Sequence, residues 1–205
     1  MKKRLFALLT AGLMLCGVFT GCGRASEPER PIPEDAIVIT LHPEEAPITC
    51  KNFEKLVSEG FYNGVGFHRV VDDFMAQGGD PTGTGMGGSS ETIKGEFSAN
   101  GVQNTLLHKR GTVSMARSRD MDSASSQFFI CYKDCAFLDG NYAAFGEVVQ
   151  GMEIVDSFLQ VERVANSGGE IAMPTKPITM QEVWMASDDE NGNPRVVIEM
   201  NDFLN

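Results

Sequence analysis

A short segment in the middle of the chain holds most of the residues whose types could take part in chemistry. His68 and Arg69 lie in an alternating stretch that predicts a strand, and alternation places their side chains on opposite faces. If Arg69 shares a face with Phe67 and Val71, its guanidinium emerges among apolar groups. An arginine in such a position most often forms a structural ion pair. On these residues alone we therefore favour a structural role for Arg69 over catalysis.

The glycines that follow have the spacing of a nucleotide-binding loop but not its context. Gly83, Gly85 and Gly88 satisfy G-x-G-x-x-G, a pattern that binds dinucleotides when it lies between a strand and a helix. No helical pattern follows Gly88, and no Gly-Lys-Ser/Thr sequence indicates a phosphate loop. The chain also lacks a Gly-x-Ser-x-Gly elbow and a His-Glu-x-x-His zinc motif. We interpret this stretch as tight turns in which glycine lets a peptide backbone approach closely.

The cysteines and histidines offer little material for a disulfide framework or a metal site, since the chain has five of the former and three of the latter. Cys16 and Cys22 belong to the N-terminal segment, so Cys50, Cys131 and Cys135 remain, and an odd number argues against a set of disulfides. The step from Cys131 to Cys135 permits a local pair but is not a zinc spacing. We predict buried free thiols, no metal and no cofactor. A redox or metal protein using Cys131 and Cys135 is the alternative.

The charge of the chain excludes one class of function. The net charge is −11, and an acidic domain is poorly suited to nucleic acid or to anionic lipid surfaces. The 42% hydrophobic and 22% charged residues are typical of a globular domain. We therefore expect no nucleic-acid partner, and contact with a membrane only through a lipid anchor.

The first residues have the layout of a bacterial secretion signal. A basic cluster at 2–4 precedes an apolar run of about 15 residues, which is shorter than the ~20 residues of a membrane-spanning helix. Phe19-Thr20-Gly21-Cys22 resembles the lipobox of bacterial lipoproteins, although Leu is usual where Phe19 stands. This predicts lipidation of Cys22 and an extracytoplasmic protein anchored to the bacterial cell membrane. The alternatives are a permanent transmembrane anchor and soluble secretion with Cys22 incidental.

The chain is expected to contain one folded domain with segments on both sides of it. Residues 1–21 form the signal peptide, and 22–35 are the lipidated cysteine with a polar, proline-rich tether that cannot bury a core. Residues 36–186 form the domain, and the turn-rich, acidic stretch 187–205 forms a surface extension. No internal repeat is visible.

The pattern of hydrophobic residues predicts a mainly β domain. Apolar residues at helical spacing predict helices over 48–59 and 152–161. Many short strands, 22 glycines and two helices favour a closed antiparallel barrel capped by helices. Alternation predicts strands over 37–41, 66–71, 74–77, 111–116, 126–132, 143–149 and 178–186, with 195–200 as a further candidate.

Short motifs spread over residues 37–183 resemble the cyclophilin family of peptidyl-prolyl cis–trans isomerases in their order and spacing. A chance match of that extent is implausible, and it changes our interpretation of Arg69 from a structural residue to a catalytic one. The motifs are Phe67-His68-Arg69-Val70-Val71, Phe74-Met75-Ala76-Gln77-Gly78-Gly79-Asp80, Gly83-Thr84-Gly85, Gly95-Glu96-Phe97, Ser114-Met115-Ala116, Ser126-Gln127-Phe128-Phe129-Ile130, Leu138-Asp139-Gly140 and Phe145-Gly146.

The resemblance implies a fold, an activity and a site. The fold would be a closed eight-stranded antiparallel barrel capped by two α-helices, with an external groove for an X-Pro dipeptide. The activity would be X-Pro rotation in proline-containing peptides. Together with the secretion signal, this predicts action on unfolded exported proteins while they fold, and we expect a monomer. The implied catalytic residues are Arg69, Phe74 and Gln77, and the implied substrate-binding residues are Met75, Gly85, Ala116, Arg117, Ser118, Gln127, Phe129, Phe137, Leu138 and Tyr142.

Three of these positions depart from the eukaryotic pattern of the family. Phe137 stands where that group has Trp, Tyr142 where it has His, and Arg117 where it has Asn, and all three replacements resemble the bacterial branch. Loss of the indole N–H should weaken cyclosporin binding without removing the proline pocket. The alternative function is a non-catalytic peptide-binding or chaperone module at the cell surface, which the presence of Arg69 disfavours.

The implied reaction breaks no covalent bond. It rotates an amide against a barrier of ~18–20 kcal/mol that comes from resonance. An acceleration of about 10⁵-fold corresponds to roughly 7 kcal/mol. An apolar pocket for the proline ring and a guanidinium N–H directed at the twisted amide can supply that without a general base or a cofactor.

Overall fold

The structure, a computed structural model, describes residues 30–205. The predicted signal peptide, the lipidation site Cys22 and most of the predicted tether lie outside the described residues. Among the residues that are described, no helix is long and apolar enough to cross a membrane.

Ten strands and two α-helices make up the described chain, and three short 3₁₀ turns accompany them at Ser98–Asn100, Ala136–Leu138 and Phe158–Gln160. The helices are α1 (Pro47–Ser58) and α2 (Met152–Ser157). The strands are β1 (Ile37–Leu41), β2 (Gly66–Val71), β3 (Met75–Asp80), β4 (Thr112–Met115), β5 (Phe128–Cys131), β6 (Ala144–Gln150), β7 (Arg163–Ala165), β8 (Ile171–Pro174), β9 (Met180–Ala186) and β10 (Arg195–Met200).

Eight of the strands form one antiparallel sheet in the order β2-β3-β5-β4-β6-β1-β10-β9, and β7 and β8 form a separate hairpin. The prediction of a mainly β fold with two helices is confirmed, but the prediction of a closed barrel is wrong. The sheet curves through 239°. Its edge strands meet at one bridge, between Gly66 and Thr179, and the β7–β8 hairpin packs against β2. The hairpin therefore lies beside β2, the strand at one end of the open sheet.

The interior of the curved sheet is filled by aromatic side chains around α1. Phe53 of α1 lies 5.0 Å from Tyr62, 5.4 Å from Phe128 and 5.1 Å from Phe145, measured between ring centroids. All four rings are at most 1% exposed. Each such pair adds about 0.5–1.5 kcal/mol to the burial of its apolar area. The helical spacing that predicted α1 thus reflects the face that it buries in the sheet.

The start of α1 is capped from a distant part of the chain. Ala46 stands at the N-cap and supplies no side-chain hydrogen bond. Instead the carboxylate of Glu96, which is 2% exposed, accepts from the backbone N–H groups of Ile48 (3.0 Å) and Thr49 (2.8 Å) and from the Thr49 hydroxyl (2.7 Å). A helix N-terminus presents unpaired N–H groups and a partial positive charge, so a carboxylate is well suited to this position.

We expect Glu96→Ala to lower the free energy of unfolding by roughly 3 kcal/mol, because it leaves buried N–H groups without an acceptor. Glu91→Ala is the matched control, since Glu91 pairs with Lys55 of the same helix at an exposed site. Removal of such an exposed, solvent-screened pair should change the free energy of unfolding far less than removal of Glu96. Urea denaturation measures both, and equal losses for the two variants would contradict the capping role.

The C-terminal segment differs from its expected position on the surface. β10 lies inside the sheet, where it pairs with β1 on one side and β9 on the other. Val196, Val197 and Ile198 are fully buried. The candidate strand at 195–200 is confirmed, and it belongs to the body of the domain because its valines and isoleucine occupy both faces of a covered sheet.

The last part of the predicted tether also differs from a flexible segment. The guanidinium of Arg30 forms two hydrogen bonds with the carboxylate of Glu182, at 2.6 and 2.9 Å, and lies 3.5 Å above the centre of the Trp184 ring. The side-chain amide of Gln150 donates to the carbonyl oxygen of Pro33 at 2.9 Å. Residues 30–35 therefore lie along the outer surface of the sheet, because β9 and β10 offer them partners that composition does not reveal.

Cys50, Cys131 and Cys135 are free and buried, as predicted. Burial raises the pKa of the Cys50 thiol to about 12, and it also raises the pKa values of Cys131 and Cys135. In the described part of the chain, no group of three or more metal-ligating side chains is present.

Candidate active site

The register of three neighbouring strands places a row of side chains across the outer face of the sheet. Arg69 on β2 lies opposite Gln77 on β3, and Gln77 lies opposite Phe129 on β5. Directly opposed residues in antiparallel strands share a face and lie close together. The strand β3 can pass close to β5 because residue 79 is a glycine with a positive φ of 86°. A side chain at this position would collide with the carbonyl oxygen of Ser126. Strand pairing alone thus brings a cation, an amide and an aromatic ring together.

The guanidinium of Arg69 is fixed on two sides. Its Nε and Nη2 groups donate to the two carboxylate oxygens of Glu170 at 2.7 and 2.8 Å, and Nη1 donates to the side-chain oxygen of Gln77 at 3.2 Å. Glu170 lies in the turn of the β7–β8 hairpin, where the side-chain amide of Asn166 donates to it at 3.2 Å. The ion pair that the residue pattern suggested is thus present, but it stands beside a cavity, and the second N–H of Nη1 makes only a long contact of 3.8 Å with the sulfur of Met75.

A directional chain of hydrogen bonds continues from Gln77. Its amide nitrogen donates to the side-chain oxygen of Gln127 at 2.8 Å. The amide nitrogen of Gln127 donates in turn to the carbonyl oxygens of Gly87 (2.7 Å) and Gly85 (3.1 Å). Each amide is therefore held in one orientation, and the oxygen of Gln77 is directed at Arg69.

The loop that accepts these bonds is organised by one buried carboxylate. Asp80, 1% exposed, accepts hydrogen bonds from the N–H groups of Thr82 (2.8 Å), Gly85 (2.7 Å) and Gly87 (3.1 Å). Burial alone would raise the pKa of Asp80, but these hydrogen bonds outweigh it and lower the pKa to about 2. The carboxylate is therefore ionised at neutral pH and holds the glycine-rich turns in place.

A small cavity of about 160 Å³ with an apolar floor opens beside Arg69. We call it the proline-sized cavity. Its floor is made by Met75, Phe129 and Leu138, which are 1%, 5% and 6% exposed. The ring of Tyr142 meets the ring of Phe129 edge-on at 6.0 Å and forms a wall. The lining residues are Arg69, Phe74, Met75, Gln77, Ala116, Arg117, Phe129, Leu138 and Tyr142, all of which were predicted from the sequence.

The remaining predicted site residues lie around this cavity. Gly85, Ser118 and Gln127 line a neighbouring cavity of about 410 Å³, which we call the serine-rich cavity. Phe137 is 70% exposed and lies at the rim, with its ring 5.6 Å from the ring of Phe74. Arg117 packs over Tyr142 at 4.6 Å and is one of the residues that line both cavities.

A buried polar cluster that the sequence did not reveal supports the floor. The ring nitrogens of His108 lie 2.9 Å from Asp139 Oδ1 and 2.9 Å from Ser114 Oγ, and the ring stacks on Phe129 at 6.0 Å. Ser114 is 0% exposed, so this Ser-His-Asp arrangement cannot attack a substrate. Burial lowers the pKa of His108 despite the neighbouring carboxylate. The role of the cluster is therefore structural: the His108 ring, held by Asp139 and Ser114, packs against the Phe129 ring and fixes its position.

Comparisons with known proteins agree with this geometry. The model of the family described as "Cyclophilin type peptidyl-prolyl cis-trans isomerase/CLD" matches residues 32–184. The chain belongs to the cyclophilin family. It is 44% identical over 154 residues to peptidyl-prolyl cis-trans isomerase A of Dickeya dadantii, covering 71% of this chain and 76% of that one. It is 46% identical over 117 residues to peptidyl-prolyl cis-trans isomerase B of Bacillus subtilis, covering 57% and 78%.

A solved structure shows the same likeness. The Cryptosporidium parvum cyclophilin type peptidyl-prolyl cis-trans isomerase, crystallised in the presence of the dipeptide Ala-Pro, superposes with a TM-score of 0.64 and 29% identity. The match covers 80% of this chain and 93% of that one. The family predicted from the motifs, and with it the enzyme class of this cyclophilin, is confirmed.

Glu170 is the residue of the site that the sequence analysis missed. It lies 101 positions from Arg69 in a glycine-rich turn without a recognisable pattern, so no local signal could have identified it. The hydrogen bonds from Arg69 lower the pKa of the Glu170 carboxyl. In this cyclophilin it is therefore charged at neutral pH and keeps the guanidinium in place.

We expect Glu170→Gln to lower kcat/KM for a proline peptide by about tenfold, because a neutral amide orients the guanidinium less strictly. A group with a lowered pKa stabilises its pair above its ordinary value of about 4.3, and the effect disappears as pH falls through the lowered pKa. The activity of the parent should therefore decline in acid below about pH 4, while that of Glu170→Gln should lack this step. A pH profile of kcat/KM measures both, and superimposable profiles would contradict the role of Glu170.

Proposed function

We propose that the protein accelerates X-Pro rotation in exported proteins while they fold, outside the cytoplasm of a bacterium. The observation that carries the catalytic part is the position of Arg69 and Gln77 at the mouth of the proline-sized cavity. The observation that carries the location is the segment ending in Phe19-Thr20-Gly21-Cys22. Exported chains fold where uncatalysed X-Pro bonds need about 10–100 s to isomerise, so an isomerase there removes a slow step.

The geometry supports a catalytic scheme without covalent steps. The proline ring enters the apolar cavity over Phe129, where exclusion of water disfavours the charge-separated planar amide relative to the twisted one. In the twisted state the proline nitrogen regains a lone pair, and an N–H of Arg69 donates to it. Glu170 and Gln77 hold the guanidinium before the substrate arrives, so little reorganisation is needed in the transition state.

The lipid anchor is proposed from the sequence. It would determine where the protein is found and would take no part in catalysis. Acylated Cys22 would fix the chain to the membrane, while the acidic domain stays off the anionic lipid surface. Cys22→Ser should move the protein from the membrane fraction to the soluble extracytoplasmic fraction, and fatty-acid labelling should disappear. Membrane-bound, unlabelled parent protein would contradict lipidation and favour a transmembrane anchor.

The function is tested on a folding substrate. We expect residues 25–205, added to an exported protein whose refolding is limited by proline isomerisation, to accelerate the slow phase without changing its final amplitude. An unchanged slow phase, with the peptide bound to the groove, would favour the alternative of a non-catalytic binding module. We propose that the protein acts as a monomer, since one chain supplies every residue of the groove.

A further inference from the structure

A third cavity adjoins the proline-sized cavity, and Arg69 and Gln77 line both of them. We call it the hairpin cavity. Its volume is about 590 Å³, compared with about 160 Å³ for the proline-sized cavity. One wall comes from β2 and from the loop that includes Met86, and the other comes from the β7–β8 hairpin through Asn166 and Met173. The catalytic scheme proposed above leaves this cavity without a role.

The rim of the hairpin cavity carries exposed apolar side chains. Met86 is 90% exposed, and Met173 is 42% exposed. Ile171 is 68% exposed and shares a strand face with Met173, since the intervening Ala172 is fully buried. Val164, 40% exposed, lies opposite Met173 in the hairpin. Met86 and Met173 line the cavity itself, whereas Ile171 and Val164 adjoin Met173 on the hairpin. Exposed apolar side chains beside a cleft are typical of an interaction site, and thioether side chains adapt to partners of different shape.

The wall that carries this patch is fixed relative to the catalytic arginine. Glu170 ties the hairpin turn to Arg69, and Asn166 accepts from the backbone N–H of Glu170 at 3.1 Å. At the start of β7, Arg163 pairs with Asp72 of the segment after β2 at 3.0 Å. The distance between the apolar rim and the proline-sized cavity is therefore set by the fold before a substrate arrives.

The charges around the hairpin cavity favour a neutral occupant. Among its described lining residues, Arg69 alone carries a full charge, and Glu170 already neutralises it. Burial lowers the pKa of His68, the other titratable lining residue, so its ring is neutral at neutral pH. The serine-rich cavity, in contrast, is lined largely by glycine and serine and by the cation Arg117.

We propose that the hairpin cavity is a subsite for an apolar side chain, such as Leu, Met or Phe, of the same polypeptide whose proline occupies the proline-sized cavity. The proposal rests on the proposed function. We assign the same polypeptide to both cavities because Arg69 and Gln77 line both, so a chain bound over these two residues borders both cavities. Because the two cavities share Arg69 and Gln77 and an extended chain advances ~3.3 Å per residue, we expect the apolar residue within a few positions of the proline.

The consequence is selection among X-Pro bonds in unfolded proteins. A proline flanked by apolar residues belongs to a segment that becomes core on folding, and such a segment is exposed only while the chain is unfolded. The subsite would direct catalysis toward those prolines and away from prolines in polar surface loops.

The test compares peptides that differ at one position. A series carries a single Leu at each of the four positions before and after Ala-Pro, and each member is matched with a peptide that has Ala at that place. The measured quantity is the ratio of kcat/KM for the Leu peptide to that for its Ala partner. We expect one position to give a ratio of about ten, most of it in KM, since burial of an apolar side chain in a pocket discriminates by this order.

Variants of the hairpin test whether its apolar side chains cause the preference for Leu. The double variant Ile171→Ser/Met173→Ser should reduce the ratio at the responsive position to below about three. Val149→Ser is the matched control, since Val149 is 54% exposed on β6 and lines none of the three cavities. It should keep the ratio of the parent.

The outcomes separate this proposal from the proposed function. If the parent isomerises the Ala peptides but no position gives a ratio above two, or if the hairpin variant keeps the parent ratio, the subsite proposal is wrong and the isomerase function stands. If the parent isomerises none of the peptides, the catalytic function itself is wrong, and the subsite proposal falls with it. Circular dichroism confirms that each variant is folded.

Discussion

Arg69→Ala is expected to lower kcat/KM for an Ala-Pro peptide by about 10²–10³-fold, the usual cost of removing one donor that stabilises a transition state. The substitution removes the guanidinium that Glu170 and Gln77 hold at the mouth of the proline-sized cavity. The apolar floor of Phe129 remains, so binding of the proline ring should change less than the rate. A peptide assay with separate kcat and KM values measures the effect.

Two further variants sharpen this prediction. Arg69→Lys keeps the charge but cannot donate to both oxygens of Glu170 and to Gln77 at once, so we expect it to lose nearly as much activity as Arg69→Ala. Arg110→Ala is the control, because Arg110 forms a similar two-bond pair with Asp156 away from the groove. If Arg69→Ala kept more than about a third of the activity, the donor interaction would be worth less than ~1 kcal/mol and catalysis would depend on the cavity alone.

Truncation after Ala186 is expected to prevent folding. It removes β10, which leaves β9 without its strand partner and exposes one edge of β1. Loss of the fully buried Val196, Val197 and Ile198 costs roughly 5–9 kcal/mol of apolar burial, which is comparable with the 5–15 kcal/mol stability of a typical domain. The truncated chain should lack a cooperative thermal transition.

The control for this truncation removes only residues 204 and 205, the first of which is 45% exposed. That shorter deletion should melt within a few degrees of the parent. A cooperative transition in the chain that ends at Ala186 would show that the sheet tolerates a gap between β1 and β9. The family match ends at residue 184, so the experiment also asks whether the matched region folds without the strand that follows it.

Local patterns predicted the elements that bury a regular face. The strands at 37–41 and 66–71 and the helix beginning near residue 48 were identified because alternation and helical spacing are visible in a few residues. The hairpin was missed because β7 and β8 have only three and four residues and most of them are exposed. Strands of that length carry too few positions for a period to be recognised.

Long-range pairing explains the other differences. The sequence of 195–200 does not predict that this strand lies between β1 and β9, because strand order depends on long-range pairing across the whole sheet. Closure of the barrel depends on whether two edges separated by more than a hundred residues form a ladder or one bridge. The resemblance predicted every residue of the proline-sized cavity, because those residues belong to recognisable motifs. Glu170, which lies outside those motifs, became visible only in the folded chain.

The three buried thiols bear on reactivity with other sulfur compounds. Disulfide exchange requires a thiolate, and a thiol with a pKa of about 12, as at Cys50, is ionised in roughly one molecule in 10⁵ at neutral pH. Cys131 and Cys135 are likewise buried and have raised pKa values. If the protein acts on unfolded chains, as proposed above, it meets their unpaired cysteines. Protonated, buried sulfurs in the folded domain would then protect it from mixed disulfides with those chains.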